Sequence, residues 1–186
     1  MPALTCQIHT LYDTQHLADG VAVWLAACGH SYQTLCLSGD LGAGKSEFCR
    51  QLLKSYYQDM TLEVPSPTFT LVQTYSPDEQ SGGCAECWHM DLYRLNDADE
   101  IWALGLEQAL STAHCLIEWP EKIAPFLEDD ILVPHRLDIH ICHDDTAPDA
   151  RRVSITCRSS EPLEHLYRCC TTLSGCPHLE MHSDEG

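Results

Sequence analysis

Eight consecutive residues, Gly39-Asp40-Leu41-Gly42-Ala43-Gly44-Lys45-Ser46, fit the pattern G-x-x-x-x-G-K-[ST]. The chemistry this pattern supports is phosphate binding. Glycines let the backbone turn tightly and come close to a ligand. Successive N–H groups then face inward as an anion-binding nest. The helix that follows adds unpaired N–H groups and the positive end of its dipole. Lys45 is placed to reach the β- and γ-phosphates of a nucleoside triphosphate, and Ser46 to put its hydroxyl on Mg²⁺. A glycine-rich turn that matches by chance is the competing explanation, and the flanks speak against it. Thr34–Ser38 is a short apolar strand pattern and Glu47–Tyr56 reads as a helix. The loop therefore lies between strand and helix, the context the motif needs. It names neither the base nor the purpose of hydrolysis.

A phosphate loop needs partner carboxylates to hold Mg²⁺ and to order an attacking water. Glu118 ends the apolar run Cys115-Leu116-Ile117. A carboxylate there emerges at the carboxyl edge of a strand, where ligands sit in open α/β sheets. Asp91 lies two residues after His89 in a strand pattern, so both side chains share one face. Ser66 and Thr68 flank Pro67 in a rigid segment, and a hydroxyl there could sense the γ-phosphate as switch segments do. The plain alternatives are a solvated strand-end acid at Glu118 and a surface polar pair at His89 and Asp91.

These residues need a sheet to position them. Strand patterns occur at 4–9, 34–38, 71–75, 87–93, 114–119, 137–142 and 152–157. Helical patterns occur from Asp13 or Thr14 to about 28, over 47–58 and over 97–113, with a short helix or turn at 121–126. Segments 69–75 and 87–93 pair as a hairpin, as do 137–142 and 152–157. The prolines at 65 and 67 hold that segment extended. The alternation predicts an α/β P-loop NTPase fold: three layers, a central mostly parallel sheet, and antiparallel hairpins. Residues 1–158 are expected to form the ATPase domain, and 159–186 a tail with one helix near 161–173 and then a flexible end.

Composition narrows the function. The formal net charge is −18, with 28 acidic and 10 basic residues. Phosphate contacts to nucleic acid need Lys and Arg, so a role near nucleic acid would run through a protein partner. No stretch approaches the ~18 apolar residues of a membrane span. The amino terminus lacks a basic segment followed by an apolar run, so a cytoplasmic location is expected. The 12 cysteines read mainly as reduced core residues. Cys84, Cys87 and His89, or Cys169, Cys170, Cys176 and His178, could approach a zinc set, but a stable zinc site is not expected. There is no N-K-x-D guanine segment, no L-S-G-G-Q segment and no arginine-rich lid. A regulatory or assembly-linked ATPase therefore fits better than a small-molecule kinase. A nucleotide-dependent interaction module without turnover is the other alternative.

Taken together, five segments resemble the TsaE (YjeE) family, small bacterial ATPases of tRNA threonylcarbamoyladenosine modification. They are Ser38–Ser46, Ser66–Val72, His89–Leu95, Leu104–Leu106 and Ile117–Glu121. They occur in the family's order over about residues 5–158. The resemblance implies ATP and Mg²⁺ as cofactors, held by Gly39 to Glu47 and by Trp119. It implies Ser46, Asp91 and Glu118 at the metal, and Lys45, Thr68, Asp91 and Glu118 in catalysis. It also implies docking on TsaD-like and TsaB-like proteins, tRNA engaged only through that complex, and hydrolysis that is weak alone. One departure stands beside the loop. The family usually has two threonines after the lysine, where this chain has Ser46 and Glu47. An inward Glu47 would repel phosphate; an outward one would suit the helix dipole.

Overall fold

The computed structural model describes residues 3–28, 32–77, 84–97, 100–128, 133, 135–144, 147–157, 160–173 and 179–182. Strand β1 (Ala3–Ile8) leads to helix α1 (Leu11–Ala27), then β2 (Thr34–Ser38) and α2 (Lys45–Tyr56). β3 (Val72–Tyr75) and β4 (Cys87–Asp91) follow, then α3 (Glu100–Ala103), α4 (Leu106–Thr112) and β5 (His114–Glu118). A 3₁₀ turn (Pro120–Ile123) runs into α5 (Ala124–Leu127). β6 (Arg136–Asp144), β7 (Ala147–Cys157), α6 (Ser160–Thr172) and β8 (Glu180–His182) complete the order.

The described strands form one sheet in the order β3-β4-β5-β2-β6-β7-β1-β8. The four central strands, β4, β5, β2 and β6, are mutually parallel. Antiparallel neighbours flank them, β3 on one side and β7, β1 and β8 on the other. Both faces of the centre are covered, which is why β2 and β5 read as unbroken apolar runs. Side chains alternate between two cores. Leu35, Leu37 and Leu116 face Trp24, Phe48, Leu52 and Leu166 from α1, α2 and α6. Cys36, Cys115 and Ile117 face Ile101, Leu106, Leu110 and Ile123 on the opposite side. The result is the three-layer α/β arrangement, with its parallel part confined to the four-strand centre.

Three local expectations change, and a fourth, the helix near 161–173, is met and extended. Helix α1 begins at Leu11, and its cap is Thr10 rather than Asp13 or Thr14. Thr10 Oγ1 accepts the Asp13 N–H at 3.1 Å while Asp13 Oδ2 accepts the Thr10 N–H at 2.9 Å, a reciprocal capping box. The single helix expected over 97–113 is split, because Gly105 at φ 90° caps α4 in the left-handed region. The extended run ends at Pro67, whose carbonyl accepts the Leu71 N–H at 2.7 Å and closes a turn. Beyond 159, α6 places Leu163, Leu166, Cys169 and Cys170 in the same core as α1, and β8 pairs with β1. The expected helix end at 29–31, most of the hairpin loop (78–83), and Cys176 with His178 lie outside the described residues.

Candidate nucleotide site

Because β4, β5 and β2 run parallel as neighbours, their carboxyl ends share one edge of the sheet. The phosphate loop leaves β2 there. Gly39 stands at φ +128°, and a Cβ on it would lie 1.9 Å from the Ile141 carbonyl oxygen of β6. Only glycine fits that approach. Further round the loop, Gly42 and Gly44 also have positive φ, and a Cβ on either would meet open space. The backbone there faces a free concavity rather than packed protein. Gly44 caps α2 with no side-chain hydrogen bond, so the helix N-terminus is left for an anion.

Lys45 bends back over this loop. Its Nζ donates to the Gly39 carbonyl at 2.6 Å and the Asp40 carbonyl at 2.8 Å. The ammonium also sits 3.9 Å from the Trp119 ring centroid. Burial lowers its pKa, and Glu118, Asp91, Glu121 and Asp40 pull the other way. Trp119 follows β5 in the left-handed region at φ 60°, which turns its ring toward the loop and against Tyr93, 4.9 Å away. Leu41, at the loop tip, is 73% exposed.

Glu118 and Asp91 lie side by side, since the two residues are register partners in the β4–β5 ladder. They are 1% and 3% exposed, so neither is a solvated strand-end acid. Ser46 Oγ donates to Glu118 Oε2 at 2.8 Å. His89 Nε2 lies 2.8 Å from Glu118 Oε1. The Thr68 hydroxyl donates to Asp91 Oδ2 at 2.5 Å, and the Tyr93 N–H donates to Asp91 Oδ1 at 3.0 Å. Ser66 reaches the site one step out, 2.8 Å from Thr68 Oγ1. The residues singled out from motif and spacing thus converge, Lys45, Ser46, Thr68, Asp91 and Glu118, and Trp119, singled out by the resemblance alone, joins them.

The donor set suits a hard divalent cation. A serine hydroxyl and two buried carboxylates supply oxygen. One ammonium beside two carboxylates leaves the cluster short of positive charge, and burial makes that shortfall costly. Glu47 lines the cleft beside Gly42–Gly44, but its charge is matched by neighbours on α2. Its carboxylate pairs with Arg50 and accepts from Gln51 Nε2 at 2.7 Å, so it is turned along α2.

Three features were not read from the sequence. His89 shares a face with Asp91, yet its partner is Glu118 on the adjacent strand, a pairing that no spacing announces. Cys49 lies one turn beyond Lys45 and is fully buried. A cleft of about 310 Å³ opens beside Gly42–Gly44, lined by Ile8, His9, Thr10, Thr14 and Arg151 among others. The cysteine groupings weighed earlier do not assemble among the described residues. Cys84 donates its thiol to the Tyr56 carbonyl at 3.1 Å, while His89 is engaged with Glu118. The described cysteines are thiols.

A parallel-centred α/β sheet with a phosphate loop leaving its middle strand defines a protein of the P-loop class. Comparison with known proteins is more specific. The sequence model of threonylcarbamoyl adenosine biosynthesis protein TsaE matches residues 8–153. The chain belongs to the TsaE family. A Rickettsia bellii protein named tRNA threonylcarbamoyladenosine biosynthesis protein TsaE is 37% identical over 123 residues, covering 66% of this chain and 81% of that one. An Aquifex aeolicus protein of the same name is 35% identical over 132 residues, covering 69% and 88%. The crystal structure of Bacillus subtilis YdiB has the same fold, with a TM-score of 0.65 over 92% of this chain and 97% of that one at 24% identity. Among the described residues, no helix is long and apolar enough to cross a membrane.

Proposed function

We propose that this protein is a Mg²⁺-dependent ATPase supporting threonylcarbamoyladenosine modification of tRNA in the cytoplasm. The observation that carries the reading is the Ser46–Glu118 hydrogen bond. It brings the phosphate-loop hydroxyl and the strand-end acid within reach of a single metal ion. The triphosphate lies along Gly39–Ser46, and the cleft beside Gly42–Gly44 takes the nucleoside. Lys45 leaves its carbonyl partners for the β- and γ-phosphates and neutralises charge that grows during transfer. Ser46, Glu118 and Asp91 are the oxygen donors for Mg²⁺, which supplies a Lewis acid to the phosphate oxygens when bound. Thr68, held on Asp91, reports the γ-phosphate to the 66–71 turn, and Asp91 orients the attacking water. His89 fixes the Glu118 carboxylate.

With its acidic surface, the chain works on tRNA through TsaD-like and TsaB-like partners, and hydrolysis resets that assembly. The test is ATP hydrolysis measured alone and with TsaB, TsaD and tRNA, then repeated for Lys45→Ala and Glu118→Ala. Weak turnover alone and stimulation in the assembly are expected, with stimulated turnover down ~100-fold or more in both variants. Absence of stimulation would overturn the partnership. Unchanged stimulated turnover in Glu118→Ala would overturn the role of that acid.

A further inference from the structure

Behind the oxygen donors lies a second set of ligand atoms with different chemistry. The Cys49 thiol, a ring nitrogen of His89 and a carboxylate oxygen of Glu118 all lie within 4.8 Å of one another. All three residues are buried, at 0%, 0% and 1% exposure. We propose that Cys49, His89 and Glu118 form a site for a thiophilic divalent cation, Zn²⁺ by its chemistry, which competes with the nucleotide-bound Mg²⁺ for Glu118.

The geometry favours it. Zinc bonds sulfur at ~2.3 Å and nitrogen or oxygen at ~2.0–2.2 Å, so tetrahedral ligands stand roughly 3.5 Å apart. Donors within 4.8 Å need only a small closure. Sulfur, imidazole and carboxylate together select zinc-like ions over Mg²⁺, which prefers oxygen alone. Three protein ligands leave a fourth position to water.

A second observation is independent of the spacing. His89 Nδ1 is buried without a hydrogen-bond partner, while Nε2 is engaged with Glu118. A buried ring nitrogen without a partner is costly, and rearrangement around a metal would use it or its neighbour. Charge also balances. Binding must displace the Cys49 thiol proton, which burial and the nearby Glu118 and Asp91 carboxylates hold in place well above the ordinary thiol range, and thiolate plus carboxylate then offset the dication inside the core. The site differs from a structural zinc site in having three ligands and in sharing one with catalysis. Zinc there shares the Glu118 carboxylate with the nucleotide-bound Mg²⁺ and neutralises it, so zinc and Mg²⁺–nucleotide each weaken the other by the same factor. That competition rests on the ATPase reading; binding of the cation does not.

The test titrates the full-length, nucleotide-free protein with Co²⁺, whose thiolate charge-transfer absorption reports sulfur ligation. One equivalent should give that absorption. It should be lost in Cys49→Ser and Cys49→Ala and kept in Cys84→Ser. Circular dichroism checks the fold of each variant. Zinc should raise the thermal midpoint of the wild-type protein and not of Cys49→Ala. Absorption that survives in both Cys49 variants, or is lost in Cys84→Ser, would overturn the site, as would its absence in the wild type. Mg²⁺–ATP should weaken cobalt binding ~10-fold or more. Undiminished cobalt binding with saturating Mg²⁺–ATP would overturn the competition alone. Zinc inhibition of hydrolysis should disappear in Cys49→Ser while Mg²⁺-dependent turnover persists.

Discussion

At the scale of single residues, the site turns on how two carboxylates are held. Glu118 has one oxygen on Ser46 and the other on His89, so its position depends on a side chain that cannot touch nucleotide from behind. On the proposed function, His89 is a positioning residue. Replacing a group that orients a metal-holding side chain typically costs 10–100-fold. His89→Ala should therefore lower kcat by about that factor and leave nucleotide Kd within about twofold, since the phosphate loop is untouched. Stopped-flow binding and single-turnover hydrolysis separate the two. An equal loss in both would mean that His89 merely supports the fold. Spacing exposed Glu118 because it ends an apolar strand run, and Asp91 because it shares a strand face with His89. It could not expose the His89–Glu118 bond, which depends on which strand lies next to which.

At the scale of elements, close approach decides more than propensity. Gly20 sits within α1, where alanine would normally gain ~1 kcal/mol. A Cβ there would lie 2.3 Å from Cys170 Sγ and 3.1 Å from the Cys170 Cα. Backbone as well as side chain of α6 is in the way, and overpacking costs ~1–3 kcal/mol. Crowding should win. Gly20→Ala is expected to lower stability by about 1–2 kcal/mol, read as a lower urea midpoint at unchanged m-value. An unchanged or higher midpoint would show that α6 yields readily. The strand–loop–helix unit around Gly39–Ser46 was legible because its signals are contiguous. The break at Gly105 and the Thr10 cap were written in the sequence as well, but the apolar periodicity of the flanking stretches masked them. The packing of α6 on α1 left no local mark, since a short amphipathic segment does not say which face it covers.

For the molecule as a whole, acid stability has an identifiable contributor. His114 is fully buried at the start of β5, with its Nδ1 accepting the Gln33 N–H at 3.0 Å. Tyr56 and Tyr32 stand edge-on to it. Burial pushes its pKa down to about 4, from ~6.5 in an unfolded chain. Above that unfolded value the ring is neutral in both states, and its contribution is fully present. As pH falls, the unfolded chain gains a proton that the folded ring refuses. Stability should therefore drop between about pH 6.5 and 4, by at most ~1.4 kcal/mol per pH unit from this group. Denaturant melts across that window should show the slope, and His114→Asn, which keeps an acceptor for Gln33, should flatten it. An identical slope in the variant would assign the acid loss elsewhere.

The ammonium of Lys45 resting on the Trp119 ring has an optical consequence. A cation against an indole alters its emission, and Lys45 must leave that ring if it is to bind phosphate. Of the four tryptophans, Trp24 is in the core, Trp88 donates to Glu86 and Trp102 meets Phe126 edge to face. Trp119 alone shares the ring contact with Lys45. Adding ATP should thus change the intrinsic fluorescence of the unlabelled protein, and Trp119→Phe should silence that change. On the proposed function, the chain would carry its own gauge of nucleotide occupancy, readable during turnover without a dye.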